Sequence, residues 1–175
     1  GLGIAAQDAS AQAQGGRLKE IAASKTIKIA HRIDAVPFSF VDANKEVAGY
    51  TIDICKAVVA SLEKQLKVQL KVQWVPVTTQ NRFDMVATGK ADMECGSSTV
   101  TLSRLKQVDF SNYVFVESTG IAVKAAVTKL QDLSGKKIAV IAGTSNEKAL
   151  TTRNQQLNLN LVLVPVKDQI GRAHV

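Results

Sequence analysis

The chain has 175 residues, a formal net charge of +7, 46% hydrophobic and 21% charged residues, enough to bury the core of one ordinary domain or of two small lobes. No apolar run approaches the ~20 residues that a membrane-spanning helix requires, and the lysines are scattered, without the arginine-rich clusters interleaved with aromatics that mark a nucleic-acid surface. The surplus charge therefore reads as a solvated surface that also favours acidic ligands.

In chain order, Gly1 to Ala6 is small and apolar and leads to Ala11-Gln12-Ala13, the small-x-small pattern cut by signal peptidase. Residues 1–13 are read as the tail of a secretory signal, with the mature protein beginning near Gln14; a flexible Ala/Gln-rich terminus is the plainer alternative. Thr26 to Ala30 alternates as a strand. Ile52 to Leu66 carries apolar residues at helical spacing, with Lys56, Glu63 and Lys64 on its polar face. Val68 to Trp74 alternates again, and strand, helix, strand predicts a parallel pair joined by a crossover. Thr79 is placed as the cap of a helix through Ala87 that stops at Gly89, before a third strand at Ala91 to Cys95. Leu102-Ser103-Arg104 reads as the first turn of a helix, and Tyr113 to Val123 as an extended crossing segment. Lys136 to Ile141 is a further strand, from which Gly143-Thr144-Ser145 opens another helix. The tail Ile170 to Val175 is what a common sequencing adapter encodes when read in frame, so it is expected not to be biological.

The stretch Gly96-Ser97-Ser98-Thr99, followed by Arg104, carries the most chemistry. At a strand-to-helix corner, hydroxyls and backbone N–H groups can bind an anion, and an arginine can add a planar fork of two hydrogen bonds. That suits a small carboxylate. A Ser/Thr-rich helix cap beside a solvated arginine is the bland reading of the same residues. Ligands of open α/β sheets lie beyond the carboxyl ends of the strands, which adds Arg32 and Thr144 to the candidates. His31 and His174 have no evident partner for a metal site or a proton relay. Asp53 reads as a first-turn carboxylate supporting its helix dipole. Cys55 is expected to be a buried thiol on an apolar helix face, and Cys95 to pair with a cysteine elsewhere; a Cys55–Cys95 bridge is the less favoured alternative.

Gly49-Tyr50-Thr51-Ile52-Asp53-Ile54-Cys55-Lys56-Ala57-Val58 resembles the signature of the periplasmic solute-binding proteins of polar amino acid uptake systems. His31-Arg32 and Val36 to Phe40 stand where that family has its first strand and first binding loop. Thr79-Gln80-Asn81-Arg82 and Glu94-Cys95-Gly96-Ser97 are similar to its glutamate/aspartate-binding branch. The resemblance runs from about Leu18 to Asp168. It implies an α/β protein of the type II periplasmic-binding-protein fold, two lobes with central sheets flanked by helices, the first over 14–118 and a second, incomplete one over 119–169. It implies a monomeric, exported component of an ABC transporter that carries an acidic amino acid to an inner-membrane permease, without cofactor, metal or catalysis. A dehydratase-like periplasmic enzyme of the same fold, or the sensing domain of a receptor, is the alternative. By residue, the resemblance assigns Ser97 and Thr99, with Ser98 between them, to the ligand backbone and Arg104 to its α-carboxylate. It gives Arg32 the side-chain carboxylate and Thr144 a contact from the second lobe. Ile141 stands where the branch often has a hydroxyl and Gln169 near a histidine contact, while the acidic partner of the ligand's amino group is expected beyond Val175.

Overall fold

The computed structural model describes residues 16–123 and 127–167; the signal-like stretch 1–13, Gln169 and the tail 170–175 lie outside them. Helix α1 (Arg17–Ser24) ends in a left-handed residue, Lys25, and turns directly into β1 (Thr26–His31). Alternation along β1 places Ile27 and Ile29 in the core, as the period of a half-buried strand requires. Three short strands follow, β2 (Asp34–Ala35), β3 (Ser39–Val41) and β4 (Val47–Ala48), paired antiparallel in that order. The chain then reaches Gly49 with φ 127°, where a Cβ would stand 2.4 Å from the Phe38 carbonyl oxygen. Only glycine lets the two backbones pass this closely.

Helix α2 (Tyr50–Leu66) starts at that glycine and buries Thr51, Ile52, Cys55 and Val59, a stripe at the three- and four-residue spacing of one helix face. Its end is closed by Lys67 in the left-handed conformation and by Val68 N–H donating to the Glu63 carbonyl, while Leu70 N–H donates to the Glu63 carboxylate at 2.8 Å. Residues 67–70 thereby belong to the helix terminus, so β5 begins later than the alternation suggests, at Lys71–Pro76. Helix α3 (Arg82–Ala87) is also shorter than the reading from Thr79, because Thr78 N–H is bound by the Asn81 side chain and the Thr79 hydroxyl points to another part of the molecule. β6 (Met93–Cys95) completes a parallel sheet of order β5-β1-β6. Asp92, just before it, accepts from Lys28 N–H and from Arg17, tying α1 to the sheet.

One apolar cluster, including Ile21, Ile27, Ile29, Ile52, Val59 and Leu70, fills the space between this sheet, α1 and α2; each such side chain contributes about 1.5–3 kcal/mol by burial. Cys55 is not a free thiol. Its sulfur is bonded to that of Cys95, joining the buried face of α2 to the end of β6, because the crossover lays the helix directly over that strand end. Beyond Thr99 the expected helical turn is a short 3-10 turn at Arg104–Lys106, and Tyr113 to Val123 runs without a strand ladder.

A second body is built from a 3-10 turn (Leu130–Leu133), β7 (Lys137–Ile141), α4 (Ser145–Gln156) and β8 (Val162–Val166), with β7 and β8 parallel. It has its own core of Leu133, Val140, Leu150, Leu159 and Leu161. No helix among the described residues is long and apolar enough to cross a membrane.

Candidate functional site

The carboxyl ends of β1, β5, β6 and β7 all face one polar cleft between the two bodies. It encloses about 270 Å³ and is lined by Arg32 from the end of β1, Thr79 and Arg82 from the β5–α3 corner, Ser97 and Thr99 after β6, and Thr144, Ser145 and Asn146 at the start of α4. Side chains of the two bodies meet across it. The Thr79 hydroxyl donates to the Ala142 carbonyl at 2.9 Å, Thr99 and Ser145 share a hydrogen bond of 3.1 Å, and Thr119 donates to the Asn146 side chain at 2.7 Å.

Of the residues singled out from sequence, Arg32, Ser97, Thr99 and Thr144 line this cleft. Thr144 does so as a helix cap: its hydroxyl donates to the Ile141 carbonyl and accepts from Glu147 N–H. The group it leaves available at the cleft is therefore backbone rather than hydroxyl. Ser98 faces a neighbouring, mostly apolar cavity of about 340 Å³, and its hydroxyl is buried without an aligned partner. Arg104 stands behind the cleft wall, donating to the Thr99 carbonyl at 2.8 Å and to the Gly143 carbonyl at 3.4 Å. Two of its five donors are engaged. Arg32 is buried and forms a 2.6 Å ion pair with the equally buried Asp34.

Arg82 was not singled out as a site residue, and it is the most distinctive group in the cleft. It is 3% exposed and its Nε has no hydrogen-bond partner among the described residues. Desolvation pushes its pKa down to about 10, against the opposing pull of Glu94. Its guanidinium lies 4.9 Å from the Phe83 ring centroid, and that of Arg104 lies 4.8 Å from the same ring, so one aromatic face system helps hold two cations. Beneath the loop, burial drives the Glu94 carboxyl up from its ordinary range, although Arg82, the Ser98 hydroxyl, Arg32 and Arg104 all pull it down. The signal for Arg82 was present: it follows strand β5 in the Thr79-Gln80-Asn81-Arg82 motif, so the rule that selected Arg32 also reaches it.

Three guanidiniums converge on a small space rich in hydroxyls, which suits a ligand with more than one carboxylate. Among the described residues, no three His, Cys, Asp or Glu side chains come together as metal ligands. The profile of the bacterial extracellular solute-binding proteins, family 3, matches residues 27–166. The chain belongs to this family. The glutamate/aspartate import solute-binding protein of Escherichia coli K12 is 36% identical over 95% of the chain, and an L-glutamate/L-aspartate-binding protein of Pseudomonas aeruginosa is 36% identical over 87%. The chain spans about half the length of these relatives, 56% and 52% respectively. The crystal structure of an ancestral amino acid-binding protein, described as a precursor of cyclohexadienyl dehydratase, superposes with a TM-score of 0.78 at 28% identity, covering 90% of this chain and 67% of that one. The architecture is that of the type II periplasmic binding proteins.

Proposed function

We propose that this solute-binding protein takes up glutamate or aspartate between two lobes, residues 14–118 and 119–169, and hands it as an exported, periplasmic, monomeric component to the permease of an ABC importer. The observation that carries this reading is the cluster of Arg32, Arg82 and Arg104 around one hydroxyl-lined cleft. An acidic amino acid brings two carboxylates to these guanidiniums, each able to accept a planar fork of two hydrogen bonds. The names carried by the Escherichia coli and Pseudomonas aeruginosa relatives support the same ligands. Arg104 holds the α-carboxylate with Ser97 and Thr99, Ser98 backs the loop that carries them, and Thr144 contributes from the second lobe. Arg32 and Arg82 together hold the side-chain carboxylate.

Calorimetric titration with glutamate, aspartate, glutamine and asparagine tests this. The acidic ligands should bind more tightly than their amides, and Arg32→Ala should erase that preference. Equal weakening of acidic and amide ligands by Arg32→Ala would remove the support for a charge-reading site.

A further inference from the structure

We propose that Glu94 takes up a proton from solvent when an acidic ligand fills the cleft, an inference that rests on the reading of the cleft as a site for glutamate or aspartate. Glu94 stands on β6 just before the binding loop and outside the lining of the cleft. Gly96 leaves the room for it: a Cβ at that position would overlap Glu94 Oε1 and stand 3.6 Å from Arg32 Cγ. The carboxyl group therefore lies against the underside of the loop, with the Arg32 side chain close by. Its Oε1 is buried and has no hydrogen-bond partner among the described residues. The negative charge is compensated across space, by Arg82, Arg32 and Arg104 and by the Ser98 hydroxyl, rather than by an ion pair of its own. The other titratable groups on the surrounding elements are engaged elsewhere. Across the ladder Glu94 faces Ala30, while His31 pairs with Cys95 and sets its ring edge against Trp74. Asp34 is bound to Arg32, and Asp92 to Arg17 and the Lys28 N–H. On α2, Asp53 and Lys56 are exposed and face each other.

Arg32 and Arg82 also line the cleft, so the cations that keep Glu94 ionised are those that receive the ligand's carboxylates. A carboxylate set on the cleft side of these guanidiniums adds a like charge and engages their donors, and both changes disfavour the ionised form of Glu94. Burial already holds that carboxyl above its ordinary range, so the ligand acts on a group whose charge is only partly supported. The proton passes from the buffer to the Glu94 carboxylate with no other bond made or broken, and the neutral acid no longer repels the ligand. Coupling is reciprocal: a ligand that tightens the proton is itself tightened by the proton, by the same factor.

The test is calorimetric titration of the full chain with L-glutamate between pH 5.5 and 7.5, in paired buffers of low and high ionisation heat that carry neither carboxylate nor phosphate. The observed heat should depend on the buffer, with an uptake of at least about 0.3 proton per glutamate at one pH in this range, and affinity should fall by about threefold or more from the acid to the basic end. Glu94→Gln should give heats that do not depend on the buffer and an affinity that is flat with pH. On the unaltered protein, L-glutamine, with one carboxylate fewer, should bring less proton uptake than glutamate, a comparison that does not depend on the folding of the variant. Buffer-independent heats for the unaltered protein, an uptake that persists in Glu94→Gln, or equal uptake with glutamate and glutamine overturns the proposal. If neither glutamate nor aspartate binds at any of these pH values, the acidic-ligand reading itself fails, and the role of Glu94 fails with it.

Discussion

Arg82 illustrates how one residue can trade stability for binding. Its guanidinium is removed from water, its Nε is unpartnered, and its cation is compensated by Glu94 and by the Phe83 ring rather than by a direct ion pair. Buried charges of this kind often cost the folded state more than an apolar replacement would. Arg82→Met together with Glu94→Gln, which removes both buried charges, is therefore expected to leave the melting temperature of the free protein unchanged or higher, yet to weaken glutamate by at least about tenfold, because the ligand's carboxylate loses its partner. Scanning calorimetry and titration on the same sample read both quantities. Glu94 makes a prediction of opposite electrostatic sense. Burial raises its pKa above the ordinary value of 4.5, so the native state binds that proton more tightly than the unfolded chain does. The stability it contributes is present below about pH 4.5 and is lost as the pH rises through the folded value. The melting temperature of Glu94→Gln relative to the unaltered protein should accordingly climb between pH 4 and pH 7. A flat difference would mean that the arginines fully offset the burial. At this scale, the placement of Arg32, Ser97, Thr99 and Thr144 along one cleft was legible because loops after strands can be counted from hydrophobic alternation. The burial of Arg82 and Glu94 was not legible, since it depends on residues from three different strand ends meeting over the same few ångströms.

Among the elements, α2 and β6 are tied together by a bond whose spacing of 40 residues gave no hint of its geometry. The sequence placed Cys55 on the apolar face of a helix and Cys95 at a strand end, and both placements hold. That the two meet follows only from the crossover laying α2 over β6, a tertiary fact. Closing a loop of this length restricts the unfolded chain, so Cys55→Ala with Cys95→Ala should lower stability by about 2–4 kcal/mol. Chemical denaturation of the double variant, and of the unaltered protein with and without reductant, measures it. The entry to α2 is equally constrained. Gly49→Ala places a Cβ within 2.4 Å of the Phe38 carbonyl oxygen at a φ that other residues rarely adopt, and the expected loss exceeds about 1 kcal/mol. Where element boundaries departed from the pattern, the cause was local polar chemistry. The cap at Glu63 delays β5, and the Asn81 side chain delays α3.

For the whole molecule, the cleft is spanned by hydrogen bonds that exist only when the two bodies face each other: Thr79 to Ala142, Thr99 to Ser145, Arg104 to Gly143 and Thr119 to Asn146. Each contributes about 0.5–1.5 kcal/mol net, so each favours a closed arrangement of the two bodies over an open one by a modest step. A ligand shifts that balance only through contacts it makes better in the closed form. Thr79→Val keeps the side-chain volume and deletes one of these bonds, in a residue that is 4% exposed. Removing about 1 kcal/mol from the closed form lowers its relative weight roughly fivefold. If the free protein is mostly open, the apparent affinity for glutamate and for glutamine should fall by that same factor, since neither ligand's own contacts have changed. If it is mostly closed, affinity barely moves, but the radius of gyration of the free protein increases in solution scattering. Either result places the closing equilibrium, and both differ from the ligand-selective effect expected of Arg32→Ala. A loss confined to the acidic ligands would show that Thr79 contacts the ligand rather than the opposite lobe.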